Sequence, residues 1–153
     1  GDGEHFVSLE HAELTGKIIG CAYQVHKILG HGFLERVYEI VFKLELEEVG
    51  LFVEQQNPIV VFYKEIPVGE YFADLFIDNR VIVEMKAVQN LAKEHEMQLV
   101  NYLTATGIDI GLLINFGKSV EVKRKFREYK PAKGRRLDGE GPKLSSIQPN
   151  PVN

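Results

Sequence analysis

The sequence predicts a mixed α/β domain in which helices pack on a five-stranded sheet. Two observations lead to this class. Apolar residues first recur at helical spacing over residues 9–49, and short runs rich in Val, Ile, Phe and Tyr then replace that pattern. A further helical stretch and two more strand-like runs follow, so the predicted order is α-α-β-β-β-α-β-β.

Two helices are predicted before the first strand. Residues 9–29 form the first, and Gly30-His31-Gly32 interrupts it. The second runs from about Phe33 to Val49, with Gly50 as its C-terminal stop. The apolar stripe of the first helix is Leu14, Ile18, Cys21, Val25, Ile28 and Leu29. The stripe of the second is Leu34, Val37, Val41 and Leu44.

Three consecutive antiparallel strands are predicted next, because turn-like breaks separate the apolar runs. They are residues 52–63, 68–77 and 81–88. A helix over residues 94–106 should end at Gly107. Residues 110–116 are nearly all apolar, which is typical of a central strand covered on both faces. Residues 120–128 should form a final, basic strand.

Composition favours one folded domain in a reducing compartment. The 153 residues are 44% hydrophobic, which excludes a wholly disordered chain. A single cysteine, Cys21, excludes an internal disulfide and a Cys-rich zinc site. We find no signal-peptide pattern and no apolar run of roughly 18 residues, so a cytoplasmic protein without a membrane partner is expected. The domain should span residues 1–130, and residues 131–153 should form a flexible C-terminal tail.

Charge is distributed unevenly along the chain. Residues 1–117 carry a balance of -10, whereas residues 118–136 carry a balance of +7. A basic segment that includes Lys123, Lys125 and Arg127 can contact a phosphate backbone. A solvated strand and tail would explain the same charge equally well.

Two carboxylates interrupt the apolar strands of the predicted hairpin. If residues 78–80 form a three-residue loop, Asp74 faces Glu84, whereas a two-residue loop would place the two acids on opposite faces. Directly opposed Cβ atoms lie about 5 Å apart, so like charges there destabilise the pair. A bound cation would turn that repulsion into a metal site.

Lys86 shares a face with Glu84 and lies one side chain beyond the two acids. Because an unpartnered buried carboxylate is costly, such groups are normally paired or bound to a metal. Two interpretations therefore stay open. One is a metal site with a neighbouring lysine, and the other is a salt-bridged cluster of these three side chains at the edge of the sheet.

Polar side chains on the helices add to the candidate site. His95, Gln98 and Tyr102 form one stripe of the third helix, and Glu35 lies in the first turn of the second. Each also has a structural interpretation. The helix dipole favours a carboxylate in a first turn, while His95 can be a surface histidine and Gln98 a satisfied structural amide.

Six motifs together resemble the GxxExxY family of small bacterial proteins, which is similar to a branch of the PD-(D/E)XK nuclease superfamily. They occur in the family's order along residues 10–128. The motifs are Gly32-Phe33-Leu34-Glu35-Arg36-Val37-Tyr38, Gln55-Gln56, Asp74, Glu84-Met85-Lys86-Ala87, Gln98-Leu99-Val100-Asn101-Tyr102 and Gly111-Leu112-Leu113-Ile114-Asn115-Phe116-Gly117.

The resemblance implies a restriction-endonuclease-like core, with a mixed sheet in the order α-β-β-β-α-β and an extra N-terminal helix. It implies metal ligands at Asp74 and Glu84 and a catalytic lysine at Lys86. Glu35 matches an acidic residue that many members place on the first core helix. The QxxxY helix of one nuclease branch matches Gln98 and Tyr102, while Ala73 replaces the proline of the superfamily's name.

These implications add up to a Mg²⁺- or Mn²⁺-dependent nuclease whose partner is nucleic acid, with DNA favoured over RNA. The basic strand would track the nucleic acid outside the site, and two copies pairing as a homodimer would suit the cutting of two strands. Two alternatives stay open. One is a non-catalytic module that binds nucleic acid or protein, and the other is a structural protein with an incidental salt-bridged cluster.

Overall fold

The computed structural model describes residues 8–128, together with the backbone of residues 135–136 and 147–148. Helix α1 spans Leu9–Leu29, and the Ser8 hydroxyl caps it by accepting the His11 N–H at 3.1 Å. Helix α2 spans Glu35–Glu48 and packs beside α1. The predicted tail lies outside the described residues, apart from the two-residue strands β6 (Arg135–Arg136) and β7 (Ile147–Gln148), which pair with each other.

Five strands form one mixed sheet whose spatial order follows the chain. They are β1 (Val53–Tyr63), β2 (Ile66–Ile77), β3 (Val81–Lys86), β4 (Ile110–Phe116) and β5 (Val120–Phe126). Neighbours are antiparallel except β3 and β4, which are parallel. Helix α3 (Lys93–Thr106) makes the crossover that a parallel pair requires. The predicted mixed α/β fold and its element order are therefore confirmed.

Two hydrophobic cores cover the two faces of the sheet. Ile18 and Phe42 of α1 and α2 pack against one face through residues such as Val83. Leu99 and Leu103 of α3 pack against the opposite face. Every residue of β4 is buried, because helices cover both of its sides, as its uninterrupted apolar run predicted. In the described part of the chain, no helix is long and apolar enough to cross a membrane.

The predicted apolar stripe of the second helix is wrong in two of its four residues, although Val41 packs against the core and Val37 is half-buried. Leu34 precedes α2 and is 78% exposed, and Leu44 is 60% exposed. The helix instead buries Tyr38, Glu39, Phe42 and Leu46. Aromatic rings remove more apolar area from water than leucines, and the Tyr38 hydroxyl is satisfied by donating to the Gly30 carbonyl at 2.6 Å. The helix therefore turns its aromatic side toward the sheet. Ile28, predicted on the α1 stripe, is also exposed.

Close packing of α3 on β4 depends on Gly111. A Cβ at this position would lie 2.9 Å from Cδ1 of Leu99 and 3.1 Å from the Ile82 carbonyl oxygen. The leucine can move, but the carbonyl belongs to the neighbouring strand and cannot move without disturbing the sheet. The absence of a side chain therefore sets how closely the helix approaches.

We predict that Gly111→Ala lowers the free energy of unfolding by about 1–3 kcal/mol, the usual cost of overpacking a core. Chemical denaturation monitored by circular dichroism measures it. Gly16→Ala is the matched control, because a Cβ there meets no atom within 4 Å. Since Gly16 lies inside α1, that change should raise stability by about 0.5–1 kcal/mol. Equal effects of the two substitutions would contradict the packing argument.

Candidate active site

The register of the β2–β3 hairpin decides whether the two predicted acids meet. Ile77 pairs with Val81 and Leu75 pairs with Val83, so residues 78–80 form the three-residue connection. Asp78 and Asn79 both have positive φ, a conformation that Asp and Asn tolerate better than most residues. The pairing ends at Leu75 and Val83. Asp74 and Glu84 are thus the next residues on the two strands, as the three-residue loop required.

The two carboxylates bridge the strands at the point where regular pairing stops. Oδ2 of Asp74 accepts the Met85 N–H at 2.8 Å, and Oε2 of Glu84 accepts the Asp74 N–H at 3.1 Å. Each carboxylate therefore accepts a main-chain N–H from the strand that carries the other acid. These two hydrogen bonds take the place of the main-chain bonds that would continue the pairing of β2 with β3. They hold both acids at the point where the two strands stop pairing.

Burial and neighbouring negative charges raise the pKa of both acids. Burial, followed by the charge of Asp74, raises the pKa of Glu84 to about 8. Burial also raises the pKa of Asp74 to about 6, although the Met85 N–H acts in the opposite direction. Without a cation, Glu84 therefore holds a proton near neutral pH that an exposed acid would release, and Asp74 keeps its proton to a higher pH than usual. Perturbed carboxyl groups of this kind are characteristic of functional sites.

Glu39 supports this site, and the sequence analysis did not identify it. Only 6% of the residue is exposed, and its Oε2 accepts the side-chain amides of Gln55 and Gln56, each at 3.0 Å. The Gln56 amide also lies 3.3 Å from Oδ1 of Asp74. A chain of hydrogen bonds thus runs from α2 through β1 to β2. Glu39 directly follows the buried Tyr38. A prediction that identified the buried side of α2 correctly would therefore have placed Glu39 at the edge of the hydrophobic core.

Lys86 is half-buried at the end of β3, and its charge lowers the pKa of Glu84. Within residues 8–128, no ion pair joins Lys86 to Asp74 or Glu84. Strand β3 is also the middle strand of the sheet. A salt-bridged cluster at a sheet edge therefore does not describe this arrangement. Glu35 is exposed at the start of α2, and its charge raises the pKa of both acids, which places it on the same side of the molecule.

Helix α3 brings one of its three predicted polar residues, Tyr102, into the buried cluster that contains Ala73, beside Asp74. Tyr102 is buried, and its pKa is raised by burial and then by the charge of Glu84. Gln98 lies one turn earlier and is exposed in a cleft beside Tyr102. The Nδ1 atom of His95 accepts the Ala92 N–H at 3.1 Å. That histidine therefore caps the first turn of the helix.

The basic residues of β5 are not gathered at the acids. Lys125 pairs with Glu96 at 2.7 Å, and Arg127 pairs with Asp109 at 2.6 Å. Lys123 is exposed. Strand β5 lies beyond β4 at the edge of the sheet. Two of the three cations predicted to contact nucleic acid, Lys125 and Arg127, are therefore paired with acids of the same domain.

A comparison with protein families connects this geometry to known proteins. A model of the PD-(D/E)XK nuclease superfamily matches residues 12–127. The chain belongs to this superfamily. The match includes both N-terminal helices, the whole sheet and α3, and it agrees with the predicted restriction-endonuclease-like fold.

Individual proteins add less than the superfamily match. No curated protein matches the chain. A solved structure described as "Crystal structure of SSO0001" is 16% identical, with a TM-score of 0.47. The alignment covers 62% of this chain and 52% of that one, so the chain spans about half the length of the solved structure.

PD-(D/E)XK nucleases generally use divalent metals, and the donors here fit such an ion. Residues 8–128 contain no group of three His, Cys, Asp or Glu side chains placed to hold a metal. Asp74 and Glu84 offer two hard carboxylate oxygen donors that repel each other in the absence of a cation. Two carboxylates suit Mg²⁺, which usually keeps several waters and binds few protein ligands.

The raised pKa values give a pH-dependent prediction. Because both acids bind protons more tightly in the folded than in the unfolded protein, the metal-free protein should lose stability as pH rises from about 5 to about 8. Metal binding displaces those protons, so Mn²⁺ should raise the melting temperature more at higher pH. Thermal denaturation with and without Mn²⁺ tests this across that range. Glu84→Gln, which cannot ionise, is the control, and a Mn²⁺ effect that is independent of pH in the wild type would contradict the prediction.

Proposed function

We propose that the chain is a metal-dependent nuclease of the GxxExxY branch that hydrolyses phosphodiester bonds, with DNA as its substrate. The observation that carries the proposal is the pair of strand-bridging carboxylates, the buried Glu84 and the half-buried Asp74, with an unpaired lysine two residues beyond Glu84. A structural cluster would neutralise these acids with Lys86. Here the acids keep raised pKa values and no ion pair joins them to that lysine.

Asp74 and Glu84 would hold Mg²⁺ or Mn²⁺ through their carboxylate oxygens. When bound, such an ion polarises a phosphoryl oxygen and lowers the pKa of water. The protein keeps the two ligands in place through the main-chain donors of Asp74 and Met85. Glu39 supports Asp74 indirectly, because the Gln56 amide contacts both side chains.

Lys86 would act on the reacting water and phosphate. Lys86 follows Glu84 by two positions, a distance of about 7 Å along an extended strand. A protonated amine has no lone pair, so Lys86 cannot be a ligand while charged. It would orient the attacking water, remove its proton, or stabilise negative charge that develops on the phosphate.

The remaining site residues would position the substrate. Glu35 would hold water or a second ion at the entrance of the site. Gln98 and Tyr102 would contact the scissile phosphate or a nearby base. Of Lys123, Lys125 and Arg127, the exposed Lys123 is best placed to track the strand outside the site.

We predict that Lys86→Ala separates metal binding from chemistry. Glu84→Ala should lose both Mn²⁺ binding and cleavage, since it removes a ligand. Lys86→Ala should keep Mn²⁺ binding and lose cleavage by about 100-fold or more, as expected when a general base or a charge-stabilising group is removed. Calorimetric titration with Mn²⁺ and cleavage of plasmid, linear duplex, single-stranded and branched DNA and of RNA measure the two properties.

Lys43→Ala is the matched control for removal of a lysine. Lys43 forms a partly exposed ion pair with Glu47 on α2, and such pairs contribute little to stability. Its cleavage rate should equal that of the wild type. A folded, metal-binding Lys86→Ala protein that cuts as fast as the wild type would remove this lysine from the mechanism. Wild-type protein that binds Mn²⁺ but cuts none of the substrates would instead indicate a non-catalytic binding module.

We predict different outcomes for charge reversal along β5. Lys123→Glu should weaken nucleic-acid binding and lower the slope of log affinity against log salt by about 1, the effect of losing one phosphate contact. Lys125→Glu should also lower the melting temperature, because it places a second carboxylate beside Glu96. Binding measured at several salt concentrations tests both variants. An unchanged slope for Lys123→Glu would show that β5 is only a solvated strand.

A further inference from the structure

A cleft of about 760 Å³ lies between α3 and the β1–β2 hairpin. Tyr71 lines it from β2, while Met97, Asn101 and Tyr102 line it from α3. Its volume is within the usual range for small-ligand sites, and its walls are mainly apolar. The cleft lies on the side of the sheet that α3 covers, and Tyr71 is three residues before Asp74 on β2.

Two aromatic rings form the floor of this cleft. The ring centroids of Tyr71 and Tyr102 are 5.4 Å apart and their planes are tilted by 44°. Tyr102 is buried, whereas Tyr71 is 42% exposed and is supported from behind by its neighbour. An exposed ring that another ring holds in place is suited to stacking, since it loses little freedom when a planar ligand binds.

Polar side chains line the cleft around the two tyrosine rings. Gln98 and Asn101 are exposed amides, each with donors and an acceptor, and Lys93 adds positive charge at the rim. Tyr102 connects the cleft to the acids, because it packs in the same buried cluster as Ala73, the residue that precedes Asp74 on β2. Its hydroxyl can donate a hydrogen bond.

We propose that this cleft binds an unpaired nucleobase of a DNA strand whose adjacent phosphate lies at Asp74 and Glu84. The base would stack on Tyr71, and the amides of Gln98 and Asn101 would contact its edge. Inside a duplex, neighbouring base pairs cover both faces of every base. The inference rests on the proposed function and extends it: the substrate is single-stranded DNA, or DNA with unpaired nucleotides.

The charge distribution of the domain supports this substrate class. Duplex binding relies on many unpaired cations along the phosphate backbone. In residues 8–128, Lys125 and Arg127 of the basic strand are already paired with acids. Stacking supplies affinity that does not depend on net charge, and it tolerates any base sequence.

The test measures DNA binding with Ca²⁺ in place of Mg²⁺ or Mn²⁺, so that a cation can occupy the carboxylates, and gel electrophoresis checks that the labelled strand stays intact. Fluorescence anisotropy would compare one labelled strand in three forms: single-stranded, in a duplex, and single-stranded with abasic nucleotides. Tyr71→Ala should weaken binding of the intact single strand by roughly 5- to 100-fold, the usual loss on removing a stacking ring. Tyr71→Phe should bind like the wild type. Tyr63→Ala is the matched control, since Tyr63 is an exposed tyrosine that does not line the cleft.

Two further comparisons complete the design. Wild-type protein should bind the abasic strand about as weakly as Tyr71→Ala binds the intact strand, and duplex binding should be the same for both proteins. Tyr71→Leu keeps an apolar side chain without a ring, so it should remain folded and still lose binding. Equal affinity of wild type and Tyr71→Ala for the single strand would overturn the proposal, as would equal affinity of the wild type for intact and abasic strands.

The binding and cleavage readouts can fail separately. Tyr71-dependent binding of single strands by a protein that cleaves nothing in Mn²⁺ would support the cleft and overturn the proposed nuclease activity. Cleavage that requires Lys86, but proceeds equally well in Tyr71→Ala on single strands at limiting concentration, would support the nuclease and overturn the cleft.

Discussion

Asp74 and Glu84 lie side by side at the point where β2 and β3 stop pairing, and two carboxylates so close together repel each other. Asp74 and Glu84 remain there because main-chain N–H groups bind both of them. The hydrogen bonds from Gln55 and Gln56 to Glu39 add a third acid to the same region. The rest of the domain holds these groups against their electrostatic repulsion, since the strands continue into two well-packed cores.

The nucleic acid that we propose as substrate is a polyanion, and an acidic site does not attract it. Glu35, Glu39, Asp74 and Glu84 surround the opening, and Lys86 is the basic residue whose charge acts on Glu84. A divalent cation resolves this conflict, because it neutralises the carboxylates and presents positive charge to a phosphate. Metal binding and substrate binding should therefore be coupled in this protein, each improving the affinity of the other.

Much of the fold followed from local pattern. Apolar period and turn residues identified every helix and strand of residues 8–128, and the three-residue hairpin loop brought Asp74 opposite Glu84. The local pattern did not identify which side of α2 is buried. Its leucines and its aromatic residues are both apolar enough to enter the core, and only packing against the sheet determines which of them are buried. Glu39 was missed for that reason. The ion pairs of Lys125 and Arg127 were missed because their acid partners come from α3 and the loop that follows it.

The candidate site draws its parts from nearly every stage of the chain. Glu39 comes from α2, Gln56 from β1, Asp74 from β2 and Glu84 from β3, and the buried position of β3 depends on β4, which pairs with it only after the α3 crossover. A chain emerging from the ribosome therefore lacks the assembled site until β4 has been synthesised. On the proposed function, an unfinished copy of this protein would pose little risk to the nucleic acids around it, because the groups that the site needs meet only in the completed sheet.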